Sequence, residues 1–580
     1  MSPSRSPGRP LRVAFRATLA AVGICALAAR LAAISAPPAR GTGGAVSSAD
    51  PAATEAGLQA LRDGGNAVDA AVTTALVLAV TFPEAGNLGG GGFAVLRRGE
   101  ELHALDFREI APAAARRDLF LDAAGQPIRG ASTEGPLAAG VPGSPAGLFE
   151  LHRRFGKLPW RRVVEPARQL ADVGFEVGAH LHARLNQDDV RQKLDPFPES
   201  AAFWRPGGAA LPIGHRVRLP GLARTLERYA AAGPAGVVEG EVAAAIVAAS
   251  KRHGGILTLA DLAGYRPVWR EPLRFERLGW QFATMPLPSS GGVIVASTLG
   301  LLERWKWAEA PRFGAERWHL LAEALRRSFA DRFLLGDPST TAARLEDLLS
   351  RAWLDRRAAT LDRTRATSSS ALETFPTAGE TTHLSVVDGA GDVVALTTTL
   401  NDYYGCGLWV PDAGFFLNDE MDDFTTAPGR PNLFGLVQGP ANEIAPGKRM
   451  LSSMSPTLAW KVRPEGTETL VLGARGGSRI PTSTIQILLA VILDGDDLQA
   501  AIDRPRLHHQ AVPDQIEVEA DTLSPETRAE LERRGHRVVL VDPRSTPKVH
   551  AVRRFADGRV EAAWDPRGPG LAAAVRPHLP

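Results

Sequence analysis

Thr381 begins a stretch, TTHLSVVDGAGDVVALTTTLN, that runs to Asn401 and concentrates hydroxyl side chains at both of its ends. Two runs rich in β-branched residues flank Asp388-Gly389-Ala390-Gly391, a pattern that predicts a β-hairpin. With the turn centred near Gly389 and Ala390, Thr381 lies across the ladder from Thr398 or Thr399. A threonine hydroxyl is a weak nucleophile until a base sits beside it, and a chain-terminal amine can be that base. Backbone cleavage just before Thr381 would supply such an amine. Thr-rich surface hairpins without any chemistry share the pattern, so the hairpin alone leaves both readings open.

Other chemistry-bearing residues are scattered along the chain. Arg108 and Glu109 close a strand predicted over His103 to Phe107; such a pair is either solvated surface or a guanidinium clamp for a carboxylate. GARGGSR, from Gly473 to Arg479, follows a buried strand (Thr469 to Leu472) and leads into a helix over Ser483 to Leu493. That order suits backbone N–H groups aimed at a developing oxyanion, although an ordinary strand-to-helix turn reads the same way. The run Gly89 to Gly92 precedes a strand, Phe93 to Leu96, which is the wrong order for a phosphate loop; it indicates close backbone packing instead. Adjacent His508 and His509 point to opposite faces of a strand and lack HExxH or CxxC company, so no metal is expected. Cys406 reads as a packed small residue.

The elements that must position these groups follow from periodicity. A short helix is predicted over Thr54 to Arg62, then a second from Val68 to about Val80, capped by Asn66, apolar on most faces and therefore buried. From Pro145 to about Lys306 the pattern is mostly helical, and PLPSSGG at Pro286 turns into an amphipathic helix. Another helix covers Leu320 to Phe333. Arg363 to Gly379 is polar and predicted to be an exposed loop, a place where chain cleavage is tolerated.

Composition narrows the class. The 580 residues carry 66 basic and 64 acidic side chains, a balance that leaves no electrostatic footprint for nucleic acid. Arg5, Arg9, Arg12 and Arg16 precede an apolar stretch from Ala17 to Ala29, and small residues follow. This layout is a secretory leader over residues 1–36, with export to a bacterial periplasm or medium expected; an uncleaved leader is the one route to a membrane. Removal of the leader takes Cys25 with it and leaves Cys406 alone, without an internal disulfide.

Taken together, the segments LDFREIAP at Arg108, GVPGSPAGL at Gly140, PLPSSGG at Pro286, TTHLSVVD at Thr381, NDEMDDF at Asn418, LSSMSPT at Leu451 and GARGGSRI at Gly473 resemble the γ-glutamyltransferase (glutathione hydrolase) family of N-terminal-nucleophile hydrolases. The resemblance extends from GGNAVDAAV at Gly64 through AIDRPRLHHQ. It implies a mixed α/β fold, an αββα four-layer sandwich with extra helices in the first part. It also implies a proenzyme cut before Thr381 into a large piece, residues 37–380, and a small piece, residues 381–580, which stay together. On that resemblance Thr381 is the nucleophile, Thr399 orients it, and Gly476 and Gly477 donate N–H groups to the oxyanion. Arg108, Ser452 and Ser453 take the substrate α-carboxylate, while Asn401, Glu420 and Asp423 take its α-ammonium. The implied reaction cleaves the γ-glutamyl amide of glutathione and related compounds without a cofactor, passing the acyl group to water or to amino acid and peptide amines. Alternatives carried with it are an acylase on glutaryl or cephalosporin-type amides, a poly-γ-glutamate transpeptidase, and an exported protein that binds γ-glutamyl compounds without turnover. Two departures stand out. Phe434 occupies the place of a lid tyrosine, and Arg475 that of a proline in the oxyanion turn.

Overall fold

The hairpin forms where the sequence puts it. In a computed structural model that describes residues 36–371, 381–427, 432, 436 and 438–576, strand Thr382–Asp388 pairs antiparallel with Val393–Thr399, Thr382 opposite Thr398. Asp388 makes the turn: its Oδ1 accepts from the amides of Ala390, Gly391 and Asp392 at 2.9, 3.0 and 3.0 Å. Its Oδ2 accepts from Ala67 N at 3.0 Å, pinning the turn to the first residue of helix Ala67–Thr81. An Asp side chain that bonds backbone N–H groups just ahead of it is the usual reason Asp-Gly pairs bend a chain.

Both hairpin strands are buried along their full length because each face of the sheet is covered. Leu384, Val386, Val394 and Leu396 join one core with helix Ala67–Thr81, whereas Val387, Val393 and Ala395 join another that lies against a second sheet. Period-two alternation thus divides one hairpin between two cores.

The hairpin is the middle of a seven-stranded antiparallel sheet. On one side it pairs with Gly44–Ser48 and then Leu571–Ala574. On the other come Gly91–Arg98, Glu101–Phe107 and Val268–Arg270. The second sheet, also seven-stranded and antiparallel, runs Ala39–Gly41, Val560–Trp564, Lys548–Arg554, Gly466–Arg475, Thr457–Arg463, Trp280–Thr284 and Leu273–Arg277. The two sheets stack, with the hairpin over Gly466–Arg475 and Lys548–Arg554. Helices Pro51–Arg62 and Ala67–Thr81 cover the outer face of the first sheet; Gly291–Arg304 and Ile480–Ile492 cover the second, with Ala315–Asp331 packed on Gly291–Arg304. This is the expected αββα sandwich. Residues Pro38–Pro580 form one compact unit.

Four expectations need correction. The helical reading of Pro145 to Lys306 fails over Val268–Arg270, Leu273–Arg277 and Trp280–Thr284, which are strands. Short period-two alternation was hidden there among helices, and Phe275 stacks on Phe282 with ring centroids 4.9 Å apart. Gly91 and Gly92 lie inside their strand, not ahead of it, and the strand after Thr457–Arg463 continues to Arg475. The polar segment beginning at Arg363 is not wholly exposed: Ser369 is buried, its N–H donating to Asp514 Oδ2 at 2.7 Å. The leader, residues 372–380 and Phe434 lie outside the described residues.

Candidate active site

Thr381 immediately precedes its strand, and its partner Thr399 ends the neighbouring one, so the ladder brings the two hydroxyls together at 3.4 Å. Thr399 Oγ1 also accepts the N–H of Asn401 at 2.8 Å. Asn401 has φ of +78°, a left-handed conformation that Asn tolerates better than most residues. That bend brings Asn401 to the cleft, where its Nδ2 donates to Asp419 O at 3.0 Å. Behind the threonines, Asn87 Nδ2 donates to Thr398 Oγ1 at 3.1 Å and Thr399 O at 2.8 Å, and its Oδ1 accepts from Gly90 N at 3.0 Å. A side chain at Gly90 would place its Cβ 2.0 Å from Thr399 O, the physical basis of close packing in the glycine run.

A cleft of about 270 Å³ opens at Thr381. Its walls bring together Arg108, Asn401, Glu420, Asp423, Ser452, Ser453 and Gly477, every one of them expected from sequence. Thr399 lies one hydroxyl behind the cleft, and Gly476 is the residue before Gly477. Sequence reasoning did not single out Met454, Ser478 and Ile480, which also line it, although each belongs to a motif already noted. Gly476 (φ +134°) and Gly477 (φ +55°) turn the chain from strand Gly466–Arg475 toward helix Ile480–Ile492, leaving a side-chain-free backbone at the wall.

Arg108 directly follows strand Glu101–Phe107 and is buried, its Nη1 bonding Glu420 Oε1 and its Nη2 bonding Asp423 Oδ2. The residues expected to take opposite charges are thus paired with one another across the cleft. Glu109 lies 3.7 Å from Arg108 Nη1 and is fully buried. Burial raises Glu109 to about 7, opposed by Arg108. Burial raises Glu420 as well, with Glu109, Asp423 and Asp419 adding to it, and it raises Asp423 against the opposing pull of Arg108 and Arg332. On Arg108 burial works downward, but Glu420, Asp423 and Glu109 outweigh it and hold the guanidinium charged. A cation among three buried carboxylates is a site short of positive charge, suited to a ligand that brings an ammonium group.

The wall that carries Ser452 and Ser453 is braced from the PLPSSGG turn. Ser452 N donates to Pro288 O at 2.8 Å, and Ser452 O accepts from Ser290 N at 2.8 Å and Ser290 Oγ at 2.7 Å. Arg475, the last residue of strand Gly466–Arg475 before Gly476, is buried and pairs with Glu84 Oε1 at 3.1 Å, so a charged side chain is absorbed by a buried carboxylate.

Metal chemistry has one candidate group among the described residues, His319, Glu323 and His536, which sequence spacing did not reveal. Its donors already serve each other: His319 Nδ1 and His536 Nε2 share a hydrogen bond of 2.8 Å, and Glu323 binds Arg327 at 2.6 Å. His508 is likewise engaged, with Thr482 Oγ1 at 2.9 Å and Gln510 Oε1 at 2.6 Å. Cys406 is buried, the place expected of a packed small residue.

Residues 53–575 match the family described as gamma-glutamyltranspeptidase. A glutathione hydrolase proenzyme of Pseudomonas aeruginosa is 42% identical over 544 residues, which is 92% of this chain and 95% of that protein. Among solved structures, a cephalosporin acylase from Bacillus halodurans has a TM-score of 0.79 at 27% identity and is covered over 98% of its length by 94% of this chain. A gamma-glutamyltranspeptidase from Pseudomonas nitroreducens has a TM-score of 0.53 at 38% identity, with 96% of its chain matched to 56% of this one.

Proposed function

We infer the reaction from one premise: the chain belongs to the gamma-glutamyltranspeptidase family, a family of enzymes. It is a γ-glutamyl transferase and glutathione hydrolase, acting on the amide that joins the glutamate side-chain carbonyl to its neighbour. The precursor is cut between Glu380 and Thr381, which frees the Thr381 amine. The leader directs export, and the described residues include no helix long and apolar enough to cross a membrane.

Catalysis then uses groups already side by side. The α-amine of Thr381 takes the proton of its own Oγ1 as that oxygen attacks the γ-carbonyl carbon. Thr399 holds the hydroxyl in line from 3.4 Å. Negative charge gathers on the former carbonyl oxygen and is met by N–H groups of Gly476 and Gly477, each such donor contributing about 2.7–4 kcal/mol. The C–N bond breaks, the amine departs with the proton, and a γ-glutamyl ester remains on Thr381. Water or an incoming amine attacks that ester, giving glutamate or a new γ-glutamyl compound. Throughout, Arg108, Ser452 and Ser453 hold the α-carboxylate, and Asp423, Glu420 and Asn401 hold the α-ammonium.

The observation that carries this reading is the coincidence, in one cleft, of Thr381 with a guanidinium and an excess of buried carboxylates. The similarity to a cephalosporin acylase supports a second reading, amides whose acyl group lacks the ammonium. One comparison separates the two: turnover of γ-glutamyl-4-nitroanilide against glutaryl-4-nitroanilide by the purified protein, with intact-mass analysis of the same sample. Two pieces meeting at Glu380 and Thr381, with preference for the γ-glutamyl compound, are expected. A single uncut chain that is fully active would refute the mechanism.

A further inference from the structure

Arg332 follows helix Ala315–Asp331 and is only 3% exposed, although no sequence motif drew attention to it. Its guanidinium reaches toward both walls of the cleft from behind. Nε donates to Ser290 Oγ at 3.0 Å, and Ser290 Oγ in turn donates to the carbonyl of Ser452 at 2.7 Å. Nη1 donates to Gln438 Oε1 at 3.1 Å, and Gln438 Nε2 donates to the carbonyl of Asp423. Asn442 reinforces the second route, its Nδ2 donating to Gln438 Oε1 and to Asp423 O at 2.7 Å each. The third nitrogen, Nη2, is buried without a hydrogen-bond partner among the described residues.

We propose that Arg332 is a positioning residue for γ-glutamyl recognition, a single cation that fixes the spacing between the carboxylate-binding serines and the ammonium-binding aspartate. The proposal rests on the functional reading above. A substrate zwitterion has its two charges on one carbon, so the two walls must keep a fixed separation to hold both at once. Arg332 spans that separation with a planar fork of donors, which a lysine could not reproduce.

Charge supplies a second role for the same residue. The α-carboxylate draws Arg108 away from Glu420 and Asp423 when substrate enters. Arg332 is then the remaining cation beside Asp423, which also faces Glu109 and Glu420. Burial lowers Arg332 to about 10, with Asp423 opposing and Arg108 assisting, so it stays charged at neutral pH. Its loss would leave Asp423 to ionise at higher pH, and only the ionised form attracts an ammonium.

The test is the pH dependence of kcat/KM for the processed enzyme on γ-glutamyl-4-nitroanilide and on glutaryl-4-nitroanilide. Arg332→Gln is expected to raise KM for the γ-glutamyl compound about tenfold, one charge-assisted hydrogen bond, while kcat changes less. Its acid limb should move up by about one pH unit, with no such displacement on the glutaryl amide. Arg332→Lys should return the limb toward its original pH yet keep the raised KM, since the charge is restored without the fork. A limb that stays in place in Arg332→Gln, or a KM that stays unchanged, overturns the proposal. Should Arg332→Gln fail to mature, Arg332→Lys decides: a raised KM with an unmoved limb supports it, and an unchanged KM overturns it. A wild type that prefers the glutaryl amide overturns the γ-glutamyl reading itself, and the proposal with it.

Discussion

Replacing Arg108 with alanine isolates what the charge cluster costs the fold. The substitution leaves Glu109, Glu420 and Asp423 buried without the guanidinium that two of them bond directly. Removing one partner of a buried ion pair typically costs about 3–5 kcal/mol when the abandoned charges stay ionised. They need not, because protonation relieves them. In the wild type Glu109 rises from 4.5 to about 7, and Glu420 and Asp423 move in the same direction. A carboxyl whose folded value lies above its unfolded value favours the native state below the unfolded value. That contribution fades as pH climbs through the folded value, between 4.5 and about 7 for Glu109. Without Arg108 the folded values climb further, so the variant keeps protons that the wild type releases. One extra proton held across two pH units returns about 2.7 kcal/mol. The destabilisation should therefore be about 3–5 kcal/mol at pH 8 and about 2 kcal/mol or less at pH 6. Paired thermal or urea melts of wild type and Arg108→Ala at both pH values measure it. Equal losses at pH 6 and pH 8 would refute the argument, because they would mean that no carboxyl in the cluster answers to the missing charge.

Thr381→Ala should leave one uncut chain on intact-mass analysis and abolish turnover; a chain still split at Glu380 would implicate an outside protease. Gly90→Ala forces a Cβ to within 2.0 Å of Thr399 O, so the threonine pair must shift. Overpacking of this kind costs about 1–3 kcal/mol, and kcat should fall at least about tenfold even where cleavage proceeds, as read from single-turnover kinetics. Burial pushes the Cys406 thiol up to about 12, so a thiol reagent at pH 8 should label it only after unfolding; rapid labelling of the native protein would contradict its packed position.

Much of this site could be read from the chain alone, and the reasons are local. The Asp388 turn and its flanking β-branched runs set the hairpin register within one residue, and that register is what juxtaposes Thr381 and Thr399. Individual helices and strands announced themselves through capping and periodicity, as Asn66 did for helix Ala67–Thr81. Motif order then gathered Arg108, Asp423, Ser452 and Gly477 before any geometry was known. What stayed hidden depends on distant pairing. Arg332 lies inside the helix expected over Leu320 to Phe333, where nothing set it apart, and only the fold lays it against Ser290 and Gln438. Nor could the charges of Arg108, Glu420 and Asp423, separated by some three hundred positions, reveal that they pair with one another across the cleft. Strands such as Leu273–Arg277 were lost because a short alternating run inside a long helical region carries a weak signal of its own.

Where the proposed cut before Thr381 falls within the sheets decides what kind of partnership its two pieces would have. Five ladders join strands before Thr381 to strands after it: those at Gly44–Ser48 with both of its neighbours, Val393–Thr399 with Gly91–Arg98, Ala39–Gly41 with Val560–Trp564, and Thr457–Arg463 with Trp280–Thr284. The halves are interleaved like the fingers of clasped hands, and neither owns a complete sheet. Dilution should therefore not part them, because separation and unfolding are a single event. Mixing separately made halves of two variants is accordingly a refolding experiment, never a subunit exchange.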